Sequence, residues 1–169
     1  SEAITAITCP TVNSYNGLVP TVGGFEGGVH TWAPVNITYG HNNRSAQFRL
    51  PQNRYCIENR AADLTMNIYL ALGMTISAAV DGIKNKIEPG KPSDFDLYAL
   101  KEDDMKKIGI RRLPRNLLQA VELLRNNKIA EKVLGKVMLN SYVNYKYDEW
   151  ERYHQAVTDW EIKEYLRLY

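Results

Sequence analysis

Cysteine is scarce. Cys9 and Cys56 are the only two in 169 residues, too few for a disulfide framework or a thiolate zinc site, so a reducing, cytoplasmic setting is expected. An excess of charge of one sign is lacking too. Twenty-one Lys and Arg against nineteen Asp and Glu leave a formal charge of +2, which does not mark nucleic acid or an anionic membrane as a partner. The longest apolar stretch, around Ile68 to Val80, is interrupted by Gly73, Thr75 and Ser77 and is too short to span a bilayer. Ser1-Glu2-Ala3-Ile4 has neither the basic patch nor the apolar run of a signal peptide. Internal repeats and low-complexity tracts are absent.

What is present suits one globular domain with a real core, at 44% hydrophobic and 24% charged residues. Residues 1–33 are rich in Gly, Pro, Thr and Asn around Gly23-Gly24-Phe25-Glu26-Gly27-Gly28, the composition of a flexible, flap-like segment. Residues 34–60 hold three β-rich runs, Val35–Tyr39, Ala46–Leu50 and Tyr55–Glu58, expected as antiparallel strands. Residues 61–169 read as mainly helical. Leu64 to Lys84 is apolar nearly all round, which predicts a buried helix covering the sheet. Glu88 to Ser93 contains two prolines and a glycine and reads as a loop. Leu117, Leu118, Val121, Leu123 and Leu124 predict an amphipathic helix stopped at Asn126-Asn127. A shorter helix follows around Ala130 to Leu134. The tail from Gly135 carries Tyr142, Tyr145, Trp150, Tyr153, Trp160 and Tyr165 at helical spacing, as packing residues. The fold class expected is α+β, antiparallel strands packed against helices.

Chemistry concentrates in the strand region, where Arg44, Arg49 and Arg60 accompany Glu58. On a strand, residues 58 and 60 project from one face, so a carboxylate able to hold Mg²⁺ and a guanidinium able to hold phosphate would share a cleft. Arg44 sits at the mouth of a strand and Arg49 within it, and a bulge or twist is needed to aim both at one ligand. Spacing alone equally fits solvated charges on the open face of a half-buried sheet.

The ordered string Asn13-Ser14-Tyr15, Ala33-Pro34-Val35, Asn43-Arg44-Ser45-Ala46, Arg49, Ile57-Glu58 and Arg60 resembles the glutamine synthetase catalytic domain. The resemblance continues through Asn67–Leu72, Asp81-Gly82-Ile83, Glu88-Pro89-Gly90, Asp96-Leu97-Tyr98, Leu113-Pro114 and Trp160-Glu161 to Tyr165. It implies the C-terminal part of that domain, in an ATP-dependent ligase joining a carboxylate, glutamate or an analogue, to ammonia or an organic amine through an acyl phosphate. It also implies Mg²⁺ or Mn²⁺ held in part by Glu58, and ATP and substrate bound by Arg44, Arg49 and Arg60. The assembly it implies is a homo-oligomer. The Gly-rich segment containing Glu26 stands where the family has its active-site flap.

Several positions depart from the family pattern. Trp32 precedes Ala33-Pro34 where a flap glutamate is usual, and Trp-Ala-Pro resembles the branch using organic amines, such as γ-glutamylpolyamine and γ-glutamylmethylamide synthetases. Glu26 is the candidate catalytic replacement. Asn16-Gly17 follows Asn13-Ser14-Tyr15 where Lys-Arg is common, and Cys56 stands where an arginine is frequent. His30, His41 and His154 do not match the family's metal histidine and read as surface or hydrogen-bonding residues. Most of the family's metal glutamates and its ammonium-site aspartate lie upstream of the matched segment, so this chain alone is expected to be inactive. The competing readings are a non-catalytic structural or interaction protein of the same family and, last, an arginine-bearing RNA binder, for which only Phe48 and Tyr55 offer stacking rings near the arginines.

Overall fold

A computed structural model describes residues 2–18, 33–166 and 168. The Gly-rich stretch, with Glu26, His30 and Trp32, lies outside the described residues.

The segment before it is no loop. Thr5–Thr8 form one helical turn, α1, and Val12–Leu18 a 3₁₀ helix. Ala3, Ile4, Ala6, Ile7 and Cys9 are core residues. Long-range contacts hold them: Cys9 Sγ donates to the Ala61 carbonyl at 2.5 Å, Asp63 N to the Thr8 carbonyl at 2.8 Å and Tyr142 Oη to the Ala6 carbonyl at 2.7 Å. One turn is too short to carry a readable 3.6-residue period, so composition could not reveal it.

Four strands form one sheet in the order β3-β2-β1-β4, with β1 at Asn36–His41, β2 at Ala46–Leu50, β3 at Glu58–Asn59 and β4 at Arg111–Arg112. The antiparallel arrangement holds for β2 with β3 and for β1 with β4. Between β1 and β2 it does not. They pair in parallel, Tyr39 opposite Phe48 and His41 opposite Leu50, with a register shift between Asn36 and Tyr39. Residues 42–45 make the connection, far shorter than an ordinary parallel crossover. Asn42 turns the chain in the left-handed region at φ 57°, where asparagine is among the better tolerated residues. The third strand is shorter than expected because Tyr55 and Ile57 are exposed and unpaired. Strand β4 is two exposed arginines and carries no apolar pattern to announce it.

Helix α2, Ile68–Lys84, is capped by Asn67, whose side chain accepts from the amides of Tyr69 and Leu70. The expectation of a buried helix covering the sheet is corrected. It packs mainly on α1 and on the later helix α5, Lys128–Gln155, and buries only Ala71 and Met74. Ile68, Tyr69, Leu72, Ile76, Val80 and Ile83 form an exposed stripe on its other side. Sequence shows that a helix is apolar all round, but not whether both sides meet protein.

Helix α3 covers Glu102–Lys107 and α4 Leu117–Arg125, the latter capped by Asn116, which accepts from the Gln119 amide at 2.9 Å. Leu117, Ala120, Val121 and Leu124 are buried, as the spacing predicts. Asn126 ends α4, and Asn127 at once caps α5 by accepting from the Ala130 amide. Helix α5, Lys128–Gln155, is broken at Gly135, whose φ of 73° belongs to no α-helix; this is the break expected between the short helix and the tail. It packs along α4 and α2. Tyr142, Tyr147 and Trp150 lean on the core, whereas Tyr145 and Tyr153 are exposed. Helix α6, Asp159–Tyr165, opens with a capping box between Thr158 and Glu161 and buries no residue. Among the described residues no helix is long and apolar enough to cross a membrane.

Candidate functional site

The site begins with strand register. Arg49 on β2 lies directly opposite Glu58 on β3, and its Nη1 donates to Glu58 Oε2 at 2.8 Å. Opposite charges facing each other across an antiparallel pair stabilise the pairing. Arg60 continues the ladder past β3, its amide donating to the Gln47 carbonyl at 2.8 Å. Two residues from Glu58, it points to the same face and gives Nη1 to the other carboxylate oxygen at 2.9 Å. Partial burial pushes the Glu58 carboxyl up, but the hydrogen bonds and charges of Arg49 and Arg60 outweigh that and hold it below its ordinary value.

The turn between β1 and β2 brings Arg44 to the edge of this cluster. Arg60 Nε donates to the Arg44 carbonyl at 2.9 Å, and Arg49 donates to the Asn42 side-chain oxygen. Asn43 fixes the turn from inside: its amide group donates to the Ser93 and Phe95 carbonyls at 2.6 and 3.0 Å, while its oxygen accepts from Ser45 N and Oγ. His41 adds Nδ1 to Asp94 Oδ2 at 3.0 Å, and that hydrogen bond holds the Asp94 carboxyl below its usual value. The Arg44 side chain opens onto a hollow of about 690 Å³ bordered by Asn43, Asp94, Phe95, Asp96 and Tyr98.

Of the four residues singled out in this region, the fold brings Arg49 and Arg60 each onto Glu58, and the Arg44 carbonyl accepts from Arg60. Glu26 lies outside the described residues. A fourth guanidinium joins them that sequence reasoning misses: Arg54 Nη2 lies 3.4 Å from Glu58 Oε2. No strand spacing signals it, because residues 54 and 55 bend and the Cys56 amide returns to the Arg54 carbonyl at 3.2 Å.

A divalent cation fits this set poorly. Glu58 is one carboxylate with both oxygens engaged by arginines, and no group of three His, Cys, Asp or Glu side chains could hold a metal among the described residues. Magnesium needs near-octahedral oxygen donors, so these residues do not make a complete metal site. They place three guanidiniums on one carboxylate, with the Arg44 backbone carbonyl beside them. Of the remaining histidines, His154 stacks on Trp150, ring centroids 5.7 Å apart.

Residues 1–165 match the family described as glutamine synthetase, catalytic domain. The chain is 40% identical to a glutamine synthetase of Methanococcus maripaludis over 171 residues, covering 99% of this chain and 36% of that protein. It is likewise 40% identical to a glutamate–methylamine ligase of Methyloversatilis universalis over 169 residues, 100% of this chain and 37% of that one. Among solved structures, a GmaS/ADP complex superposes with a TM-score of 0.80 at 31% identity, over 98% of this chain and 36% of its own. The chain thus spans little more than a third of the length of these relatives.

Proposed function

Because the chain belongs to the glutamine synthetase family, we propose that its arginine face binds the phosphates of ATP in a ligase that forms an amide from a carboxylate and an amine. The convergence of Arg49 and Arg60 on Glu58, with Arg44 alongside, carries this reading. Phosphoryl transfer spreads negative charge over the oxygens of the moving group, and fixed guanidiniums, always protonated, stabilise it without reorganising.

The reaction proposed has two steps. A substrate carboxylate oxygen attacks the γ-phosphorus of ATP, the bond to the β-phosphate oxygen breaks, and ADP leaves an acyl phosphate. An amine nitrogen then attacks the acyl carbon, inorganic phosphate departs, and the nitrogen loses a proton. Arg44, Arg49 and Arg60 serve both steps by holding phosphate oxygens. Glu26 is the sequence candidate for receiving that proton. The acid proposed is glutamate or an analogue and the amine ammonia or an organic amine, in keeping with the names of the relatives. The metal-dependent part of the chemistry falls to no set of side chains among the described residues, since these do not complete a donor shell.

With one carboxylate at the site, the chain alone is proposed to bind nucleotide without turning it over. Calorimetric titration of the 169-residue chain with ADP tests the reading, with binding expected for the unaltered chain and loss of binding for Arg60→Ala. The second reading, a non-catalytic member of the family kept for assembly, draws on Gly17, Trp32 and Cys56 and predicts no heat of binding at all. Phosphate release from ATP by the chain alone, with glutamate and methylamine or ammonium supplied, would overturn the proposed incompleteness.

A further inference from the structure

We propose that Arg54 is a mobile phosphate-binding arm, which leaves Glu58 for the oxygens of a polyphosphate seated against Arg49 and Arg60. This rests on the reading of the arginine face given above and adds a residue and a movement to it.

Three guanidiniums share one carboxylate, so the cluster carries two positive charges more than it neutralises. The three are not held alike. The Arg49 and Arg60 side chains are 16% and 19% exposed and lie 2.8 and 2.9 Å from separate oxygens of Glu58, whereas Arg54 is 61% exposed and 3.4 Å away from an oxygen that Arg49 already holds. Its contact is the weakest of the three and the cheapest to break.

The backbone gives it room to move. Arg54 lies in the connection between β2 and β3, where residues 52–57 are all exposed, and its carbonyl accepts one amide hydrogen bond, from Cys56 at 3.2 Å. The fold-back of this connection, not strand alternation, brings it to the face of Glu58 and Arg60. A polyphosphate offers this arm more charge and more unengaged acceptor oxygens than Glu58 has left, in a geometry that a guanidinium fork meets bidentately. A monocarboxylate offers no more than Glu58 already gives. The ligand class indicated is therefore a polyphosphate, with the nucleoside as an addition.

Calorimetric titration of the 169-residue chain with ADP, and separately with inorganic tripolyphosphate, provides the test. Arg54→Ala should weaken both ligands about tenfold, the loss of a charge-assisted contact, and flatten the dependence of affinity on salt. Arg54→Lys should recover part of the loss by restoring charge without the fork. The urea midpoint should stay unchanged in both variants, which a merely structural Arg54 would not predict together with weakened binding. If Arg54→Ala binds both ligands like the unaltered chain while Arg60→Ala loses them, the proposal fails and the phosphate reading survives. If the unaltered chain binds neither ligand, both fall. Competition by glutamate that disappears in Arg54→Ala would assign the arm to the carboxylate substrate and overturn the proposal.

Discussion

Arg49 and Arg60 divide one carboxylate between them, Nη1 of the first lying 2.8 Å from Glu58 Oε2 and Nη1 of the second 2.9 Å from Oε1. The pair joins two strands and places both guanidiniums on one face.

That arrangement makes stability depend on pH in a definite direction. The Glu58 carboxyl is held below its ordinary value of 4.5 in the fold, so the unfolded chain takes up a proton first as pH falls. Its contribution is complete above the ordinary value and is lost as pH drops through the lower, folded one. Glu58→Gln should destabilise the chain by about 1–2 kcal/mol at about pH 7, because two half-buried guanidiniums lose their counter-charge. The difference between variant and parent should shrink as pH falls below 4.5, as read from urea midpoints at each pH.

Helix α2 offers a contrast between its two sides. Met74 is fully buried and Ile76, two residues on, is 60% exposed. Met74→Ala should cost about 2–5 kcal/mol by leaving a cavity, whereas Ile76→Ser should change stability by no more than about 0.5 kcal/mol. Chemical denaturation of both variants checks this, and an Ile76→Ser loss as large as that of Met74→Ala would mean that the stripe is buried in solution.

Two glycines should respond with opposite signs. A Cβ on Gly40 would lie 2.5 Å from the Ser93 carbonyl oxygen and 2.8 Å from Asn43 Cβ, because the loop that fixes the Arg44 turn crosses β1 there. Gly40→Ala should therefore cost about 1–3 kcal/mol. Gly82, inside α2, has nothing within 4 Å of the point where a methyl group would sit, and Gly82→Ala should stabilise by about 0.5–1 kcal/mol through helix propensity. Thermal melts of the two variants decide both.

The two thiols should be separable by alkylation. Cys9 is buried, which pushes its thiol up to about 12, while Cys56 is exposed. Thiolate is the reactive form, so iodoacetamide at about pH 8 should add one label, at Cys56, to the native chain and a second only after unfolding. Mass spectrometry of the digested protein reads both sites, and native labelling of Cys9 at the rate of Cys56 would contradict its burial.

Helices whose apolar period meets a single packed face were legible from the chain: α4 with Leu117, Val121 and Leu124, and the break at Gly135 in α5. Arg49, Glu58 and Arg60 could be named as a group from their spacing and the family resemblance. Arg54 could not, since its contact with Glu58 depends on how the connection between β2 and β3 folds back. Helix α1 and strand β4 escaped for a simpler reason: four residues and two residues carry no period.

By itself the sequence determined the family, the residue types available at the arginine face and the position of the strongly periodic helices, because these are properties of order and spacing along the chain. Only the tertiary structure decided that β1 and β2 run parallel, that α2 leaves one apolar side open, and that three guanidiniums close on one carboxylate. Pairing direction, burial and convergence are set by contacts between residues distant along the chain, and no local period encodes them.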